Sequence, residues 1–524
     1  MMKLFSSLML VLALGVTSPA YASQDGEVTL KLIETSDVHG CYFSYDFISM
    51  KPRKGGLACV SSFVKEQREQ YGDGVVLMDN GDILQGQPIA YYYNYIDTTS
   101  VHVTSAMLNY MKYDVGTMGN HDVETGHAVY DRWVKQCAFP VLGANIVDNK
   151  TGEPYLTPYK IIERKGVKIA VLGMITPAIP SWLPEQLWNG LHFEDMEDCA
   201  RKWVKIIKEK ENPDVLIGLF HAGPEGNKLD NVVENGSGDV AKNVPGFDVV
   251  FMGHDHVRRC EKIVNVAGDS VLLVDPANAA RYVSDVTVKV TKAGGKLVRK
   301  SVEGALADVS RYAADEDFMR EFAGQYQATV DFVSRKIGRI EETITTKDAY
   351  LGPSAFIDLL HQLQLDITGA DISFCAPLSF SAEIKKGDIY MSDMFNLYKY
   401  ENLLYTMKLT GKEIKDFLEM SYALWTNQMK SPDDHLMLFN EEDKGFGRFK
   451  NPSFNFDSAA GIIYTVDVTK PQGEKIKIER MANGEPFDMN KTYQVAVNSY
   501  RGNGGGDLLT ARIMWNIPMM RRQN

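Results

Sequence analysis

The sequence predicts a layered α/β domain over residues 28–310, a connecting helix over 311–336 and a C-terminal α+β domain over 337–520. Three observations carry this. Short apolar runs recur through the first half, each ending in a polar or glycine-rich tip. Several stretches between them are long enough for crossover helices, the rhythm of a sheet whose functional groups collect beyond strand ends. Past residue 337, helical periodicities and alternating strands are mixed.

Taken in order, the chain opens with MMKLFSSLMLVLALGVTSPAYAS: one lysine, an apolar run from Leu4 to Val16, then small residues to Ala20-Tyr21-Ala22. This reads as a secretory signal over 1–22, too short for a membrane anchor, and it implies a periplasmic or secreted mature chain. The expected strands are VTLKLIETSD (28–37), GVVLMDNGD (74–82), YDVGTMGNHD (113–122), KIAVLGM (168–174), DVLIGLFHAG (214–223) and FDVVFMGHDH (247–256), followed by SVLLVDP and YVSDVTVKVT. Crossover helices are expected over 56–70 and 194–211. In 314–338, Phe318, Phe322, Tyr326, Val330 and Val333 recur every three or four positions, so one helical face is apolar and the segment is read as the connector. Beyond it, SAFIDLLHQLQLDIT and TGKEIKDFLEMSYALWT read as helices; AGIIYTVDVT, KIKIERMANG and TYQVAVNSY read as strands.

A chain of 524 residues, 44% hydrophobic and 24% charged, can bury a sizeable core and divide into two or more domains. Its net charge of −12, one unit more negative once Lys3 leaves with the leader, makes it a poor scaffold for a long nucleic acid. A small anionic substrate needs only local positive charge, which metal ions can supply. The six cysteines (41, 59, 137, 199, 260, 375) are dispersed, no CxxC pair suggests a zinc cluster, and nothing selects a disulfide pairing.

The polar tips carry the chemistry. SDVHG offers Asp37 and His39, NGDILQG offers Asp82 with Asp79 nearby, GNHD offers Asn120, His121 and Asp122, FHAG offers His221, and GHDH offers His254 and His256. Any one of these is commonplace in a folded turn. Five at successive strand ends are not required by folding, and a two-residue spacing can aim both side chains into one cavity. Carboxylate oxygens with imidazoles suit manganese, zinc, iron or cobalt better than copper or an iron–sulfur cluster.

The series DxH, GD, GNH[ED], H and GHxH resembles the calcineurin-type metallophosphoesterases, and the full layout resembles the secreted bacterial 5′-nucleotidase and 2′,3′-cyclic-nucleotide 2′-phosphodiesterase/3′-nucleotidase family. The resemblance implies a β-sandwich flanked by helices, a 5′-nucleotidase-type substrate domain and two divalent metal ions. One ion would take Asp37, His39, Asp82 and His256; the other would take Asp82, Asn120, His221 and His254, with Asp82 shared. Asn120 would also face the substrate. His121 would steady charge on the phosphoryl group and help protonate the leaving oxygen, oriented by Glu124, where the family carries Asp or Asn. Asp122 is expected to support the loop, and Asp79 to be structural.

In the second domain the family sandwiches the base between two aromatic rings. SFNFDSAAGIIYTVDV and VAVNSYRGNGGGD look like those segments, which points to Phe456 and Tyr500, with Phe454 in reserve for the first position. Arg501 is a candidate contact to phosphate or sugar, and Asp507 lies beside the glycine run 504–506. CAPLSFSAEIKKGDI (375–389) stands where 5′-nucleotidases carry an arginine-bearing NGGIR-like segment, and it is closer to the cyclic phosphodiesterase branch. The preferred substrate is therefore a 2′,3′-cyclic nucleotide, taken on to nucleoside and phosphate. The alternatives are a broad 5′-nucleotidase that also accepts nucleotide sugars and a non-catalytic nucleotide-binding module. The partner expected is a small nucleotide, with no long nucleic acid and no membrane anchor.

Overall fold

The computed structural model describes residues 26–508 except 227, 230–231, 380, 399–401, 441–448, 503 and 506–507, so the expected signal segment and Asp507 lie outside the described residues. Two six-stranded sheets stack face to face. In the first, the parallel strands Gly26–Thr35, Val75–Asp79, Val115–Thr117 and Val141–Leu142 lie side by side in that order. Tyr282–Ala293 and Lys296–Asp308 extend it antiparallel beyond Gly26–Thr35. The second sheet runs Val167–Ile175, Val215–His221, Val249–Met252 and Ser270–Asp275 in parallel, with antiparallel Tyr159–Arg164 and Arg259–Val264 at its edges.

Alternation along the strands makes four layers. Leu30, Leu32, Val76 and Met78 point between the sheets and meet Val215, Ile217 and Leu219 from the other side. The intervening Ile33, Val75 and Leu77 face outward onto helix Leu57–Tyr71. Leu216 and Phe220 face outward onto helix Met196–Lys210. Side chains two apart on a strand share a face, so these central strands are buried on both sides. The helix Met196–Lys210 starts where the Asp195 carboxylate accepts the backbone N–H groups of Glu197 and Asp198, at 2.9 and 3.0 Å, and its last turn carries Lys208 and Lys210. The result is the α/β class expected, a β-sandwich between helices.

The connector differs from the single helix expected. It is two helices, Glu316–Glu321 and Ala323–Val333, broken at Phe322, whose backbone (φ −101°, ψ 18°) leaves the helical range. Phe318, Phe322 and Val333 are buried in the core of the first sheet's outer face, so the apolar stripe docks on the N-terminal half. Phe332 at its far end and Tyr91 of the N-terminal half meet the C-terminal half, their rings 6.3 and 5.4 Å from Phe395.

The C-terminal half is built on a four-stranded sheet ordered Leu404–Thr410, Thr492–Asn498, Ile372–Cys375, Ser458–Ala460, packed by helices Ala355–Thr368 and Gly411–Trp425. The second helix begins with a reciprocal cap: Thr410 Oγ1 accepts the Glu413 N–H at 3.3 Å, and the Glu413 carboxylate accepts the Thr410 N–H at 2.7 Å. The six cysteines are all unpaired. Among the described residues no helix is long and apolar enough to cross a membrane.

Candidate functional site

Every ligand candidate sits at or just past the C-terminal end of a parallel strand: Asp37 after Gly26–Thr35, Asp82 after Val75–Asp79, Asn120 after Val115–Thr117, His221 closing Val215–His221, and His254 and His256 after Val249–Met252. The chain turns sharply there. Asp37 (φ 49°), His39 (50°), Asp82 (52°), His254 (77°) and His256 (58°) all adopt left-handed backbone. Non-glycine residues seldom do so, and the strain persists only where surroundings over-determine it. Here the first two tips lock together: Asp37 N–H donates to Gly81 O at 3.0 Å and His39 N–H to Asp82 O at 2.9 Å. The adjoining glycines are obligatory for space. A Cβ on Gly119 would lie 2.2 Å from Asp82 Oδ1, and one on Gly253 would lie 2.2 Å from Ser36 Oγ and 2.7 Å from Asp37 Oδ2.

Two constellations result. Asp37, His39 and His256 form the first, and Asp82, His221 and His254 the second. In the first, His256 Nε2 lies 3.2 Å from Asp37 Oδ1 and 3.1 Å from His39 Nε2. In the second, His221 Nε2 lies 3.2 Å from Asp82 Oδ2, while Asn120 Oδ1 lies 3.2 Å from His221 Nε2 and 2.8 Å from His254 Nδ1. His221 Nε2 is also 4.0 Å from Asp37 Oδ1, which links the groups.

The donor chemistry fits divalent cations. His39 Nδ1 faces Gln85 O at 3.2 Å and His221 Nδ1 faces Asn80 O at 2.6 Å, so each is the protonated nitrogen and Nε2 keeps its lone pair for the site. The Nε2 atoms of His39 and His256 face each other at 3.1 Å, a spacing that suits two ligands of one ion, since metal–nitrogen bonds of about 2.1 Å leave neighbouring donors about 3.0–3.4 Å apart. Without a cation, burial would raise Asp37, but the charge of protonated His221 and the hydrogen bond of His256 hold it down at about 2; a bound cation would take the place of the His221 Nε2 proton. Burial opposes Asp82 in the same way, and His221 and His121 outweigh it, so Asp82 too sits below the usual carboxylate range. Both carboxylates are therefore ionised and ready to ligate.

His121 stands beside this centre, its Nδ1 2.6 Å from Glu124 Oε2. Burial pulls its pKa down, but the charge of Asp82 and the charge and hydrogen bond of Glu124 raise it to about 10. Cations at Asp82 would offset part of that rise and bring the pKa toward neutral pH, where the ring can hold a proton on Nε2 as well as on Nδ1. Asp122 does not ligate. Its carboxylate accepts the N–H groups of Asp82 (2.8 Å), Ile83 (2.9 Å), Leu84 (2.8 Å) and Gly119 (2.8 Å), binding the second and third tips together. Asp79 accepts from Thr35 Oγ1 at 2.7 Å and is likewise internal.

A cleft of about 260 Å³ opens from the centre toward the C-terminal half. Its walls carry Asn120, His121, Glu124 and His254 from one half, and Phe454, Tyr500, Asn402 and Asn498 from the other. The rings of Phe454 and Tyr500 lie 6.2 Å apart with planes at 82°, so holding a flat base between them requires one ring to turn.

Two expected contacts are corrected here. Phe456 is no platform: it is fully buried and stacks on Trp425 at 5.7 Å inside the core, while Phe454 takes the cleft position. Arg501 does not reach substrate. It is 2% exposed, pairs with Asp457 Oδ2 at 2.5 Å and donates to Phe454 O at 3.1 Å, so it ties the Phe454 segment to the Tyr500 segment from behind. Among the wall residues that escaped the sequence reading, two stand beside His254. The Trp182 ring lies 5.4 Å from that of His254, and Glu234 Oε1 lies 3.1 Å from His254 Nε2. Neither sits in a strand-tip motif, so periodicity carried no signal for them.

Comparison with known proteins agrees with this geometry. Residues 30–258 match the calcineurin-like phosphoesterases, and residues 336–511 match the 5′-nucleotidase C-terminal domain. The chain is 29% identical over 560 residues to the 2′,3′-cyclic-nucleotide 2′-phosphodiesterase/3′-nucleotidase of Haemophilus influenzae, covering 94% of this chain and 83% of that one. It is 28% identical over 549 residues to the trifunctional nucleotide phosphoesterase protein YfkN of Bacillus subtilis, covering 94% of this chain but only 37% of that longer protein. In fold it is similar to a Staphylococcus aureus chain assigned to the 5′-nucleotidases, with a TM-score of 0.77, 24% identity and 94% of each chain covered.

Proposed function

We propose, on the premise that this chain belongs to the phosphoester hydrolases that join a calcineurin-like phosphoesterase domain to a 5′-nucleotidase C-terminal domain, that it opens 2′,3′-cyclic nucleotides to 3′-nucleotides and then releases phosphate. One observation carries the reading: the residues for phosphorus chemistry (Asn120, His121, His254) and two aromatic rings (Phe454, Tyr500) line a single cleft. Asp37, His39 and His256 would hold one divalent cation, and Asp82, Asn120, His221 and His254 the other. When bound, such ions supply Lewis-acid polarisation of the phosphoryl group and a water acidic enough to attack at neutral pH.

The chain's own side chains do the remainder. His121, held through Nδ1 by Glu124, keeps Nε2 for the substrate, where its proton goes to the departing ribose oxygen. Phe454 and Tyr500 grip the base while the ester changes position between the two steps. Among the described residues lining the cleft there is no lysine or arginine. The phosphoryl charge is then left to the cations. The name of the Haemophilus influenzae relative favours the cyclic reading. A 5′-nucleotidase is the second reading, favoured by the family of the C-terminal domain. Export fits the apolar leader over 1–22.

Phosphate release from 2′,3′-cyclic AMP, 3′-AMP and 5′-AMP, measured side by side with manganese or zinc, separates the two. Turnover of the first two is expected to exceed that of 5′-AMP. Fast cleavage of 5′-AMP alone would overturn the cyclic reading and leave the hydrolase class intact.

A further inference from the structure

We propose that Glu234 is a charge filter on the wall of this cleft, one that admits esters of a single phosphoryl group and disfavours nucleotides with additional anionic groups, such as nucleoside diphosphates and triphosphates. The proposal rests on the nucleotide-phosphoester reading of the cleft. Glu234 is one of two carboxylates among the described wall residues; each engages a histidine, and they differ in exposure. Glu124 lies 2.6 Å from His121 with its side chain 11% exposed. Glu234 lies against the outer nitrogen of His254 at 3.1 Å with its side chain 26% exposed, so its charge faces both the second ligand constellation and the open cleft. No lysine or arginine among the described lining residues offsets it.

The position is built. The Glu234 carbonyl accepts Thr176 Oγ1 at 2.7 Å, and the next residue, Asn235, accepts the Gly223 N–H through Oδ1 at 2.6 Å. Ser237 adds bonds to Gly223 O (3.1 Å) and Ala222 O (2.8 Å), so the segment is tied to the end of strand Val215–His221. On the other side, Trp182 and Leu183 make the wall apolar, with the Trp182 ring 5.4 Å from His254. Beside an apolar wall a carboxylate is poorly screened, and its repulsion of a second or third phosphate is felt across several ångströms. A single phosphoryl group at the metal ligands would have the cations to offset Glu234, whereas further phosphates lying along the cleft would not.

Two substitutions separate charge from positioning. Glu234→Gln removes the charge and keeps an oxygen to accept from His254; Glu234→Ala removes both. Inhibition constants of AMP, ADP and ATP are measured against whichever phosphoester the wild type cleaves fastest, and manganese affinity is titrated directly. We expect Glu234→Gln to tighten ADP and ATP relative to AMP by about tenfold, with manganese affinity as in the wild type. Unchanged ADP-to-AMP and ATP-to-AMP ratios in Glu234→Gln overturn the filter. So does a loss of manganese affinity in both variants with no change in those ratios, which would make Glu234 only a positioning residue for His254. Because the ratios are read on any cleaved ester, failure of the 2′,3′-cyclic reading leaves this test standing on its own.

Discussion

Phe454 and Phe456 stand two residues apart and have opposite environments. In an extended strand they would share a face. Instead a 3₁₀ turn over Ser453–Asn455 sends Phe454 to the cleft and Phe456 into the core against Trp425 and Phe449. Replacing Phe456 by alanine should cost about 3–5 kcal/mol of stability, read as a shift in the urea midpoint. Replacing Phe454 should leave that midpoint nearly unchanged and weaken kcat/KM for nucleotides by the equivalent of about 1–3 kcal/mol. The reverse pattern would return Phe456 to the substrate. Arg501 shows the same limit of local reading: an arginine in a glycine-rich stretch looks free to bind phosphate, yet burial with Asp457 commits it to the scaffold. The left-handed backbone at five ligand positions is also a residue-scale property, and side-chain identity alone does not announce it.

Among the elements, helix Ala355–Thr368 is fastened to its sheet through one buried imidazole. His361 Nδ1 meets Ser373 Oγ at 2.9 Å and Nε2 meets Ser458 Oγ at 3.0 Å, joining the helix to strands Ile372–Cys375 and Ser458–Ala460. Burial lowers its pKa from 6.5 to about 4. Between those values the unfolded chain binds a proton that the folded chain refuses, so this contribution is complete above pH 6.5 and is lost as pH falls toward 4. The loss is at most about 3 kcal/mol. Urea unfolding followed by Trp425 fluorescence should show the C-terminal half weakening over that interval, and His361→Gln should flatten the dependence. Most elements were legible from periodicity, because strands buried on both faces read as apolar runs and amphipathic helices repeat every three or four residues. The edge strands Tyr159–Arg164, Arg259–Val264 and Lys296–Asp308 were not, being more polar and marked mainly by their pairing. The break at Phe322 was hidden for a related reason: the apolar period runs straight through it.

For the whole molecule, the site gathers carboxylates that repel one another unless cations stand between them. Removing divalent metal with a chelator should therefore abolish phosphate release and lower the thermal midpoint, and adding back manganese or zinc should restore both. Each ion present at a hundredfold its dissociation constant contributes about 2.7 kcal/mol. An unchanged midpoint and full activity after exhaustive chelation would refute a metal centre. The cleft is also a whole-molecule property, since its walls come from both halves of the chain. The sequence by itself determined the layered α/β class and the candidate ligands Asp37, His39, Asp82, Asn120, His221, His254 and His256. The class follows from hydrophobic period, and the ligands from polar motifs repeated at strand ends together with the family those motifs resemble; all of these are local in the chain. Only the tertiary structure decided which of Phe454 and Phe456 faces the cleft, that Arg501 is internal, and that Trp182 and Glu234 stand beside His254. Those outcomes depend on turn geometry and on contacts between residues far apart in sequence, and one-dimensional spacing carries neither.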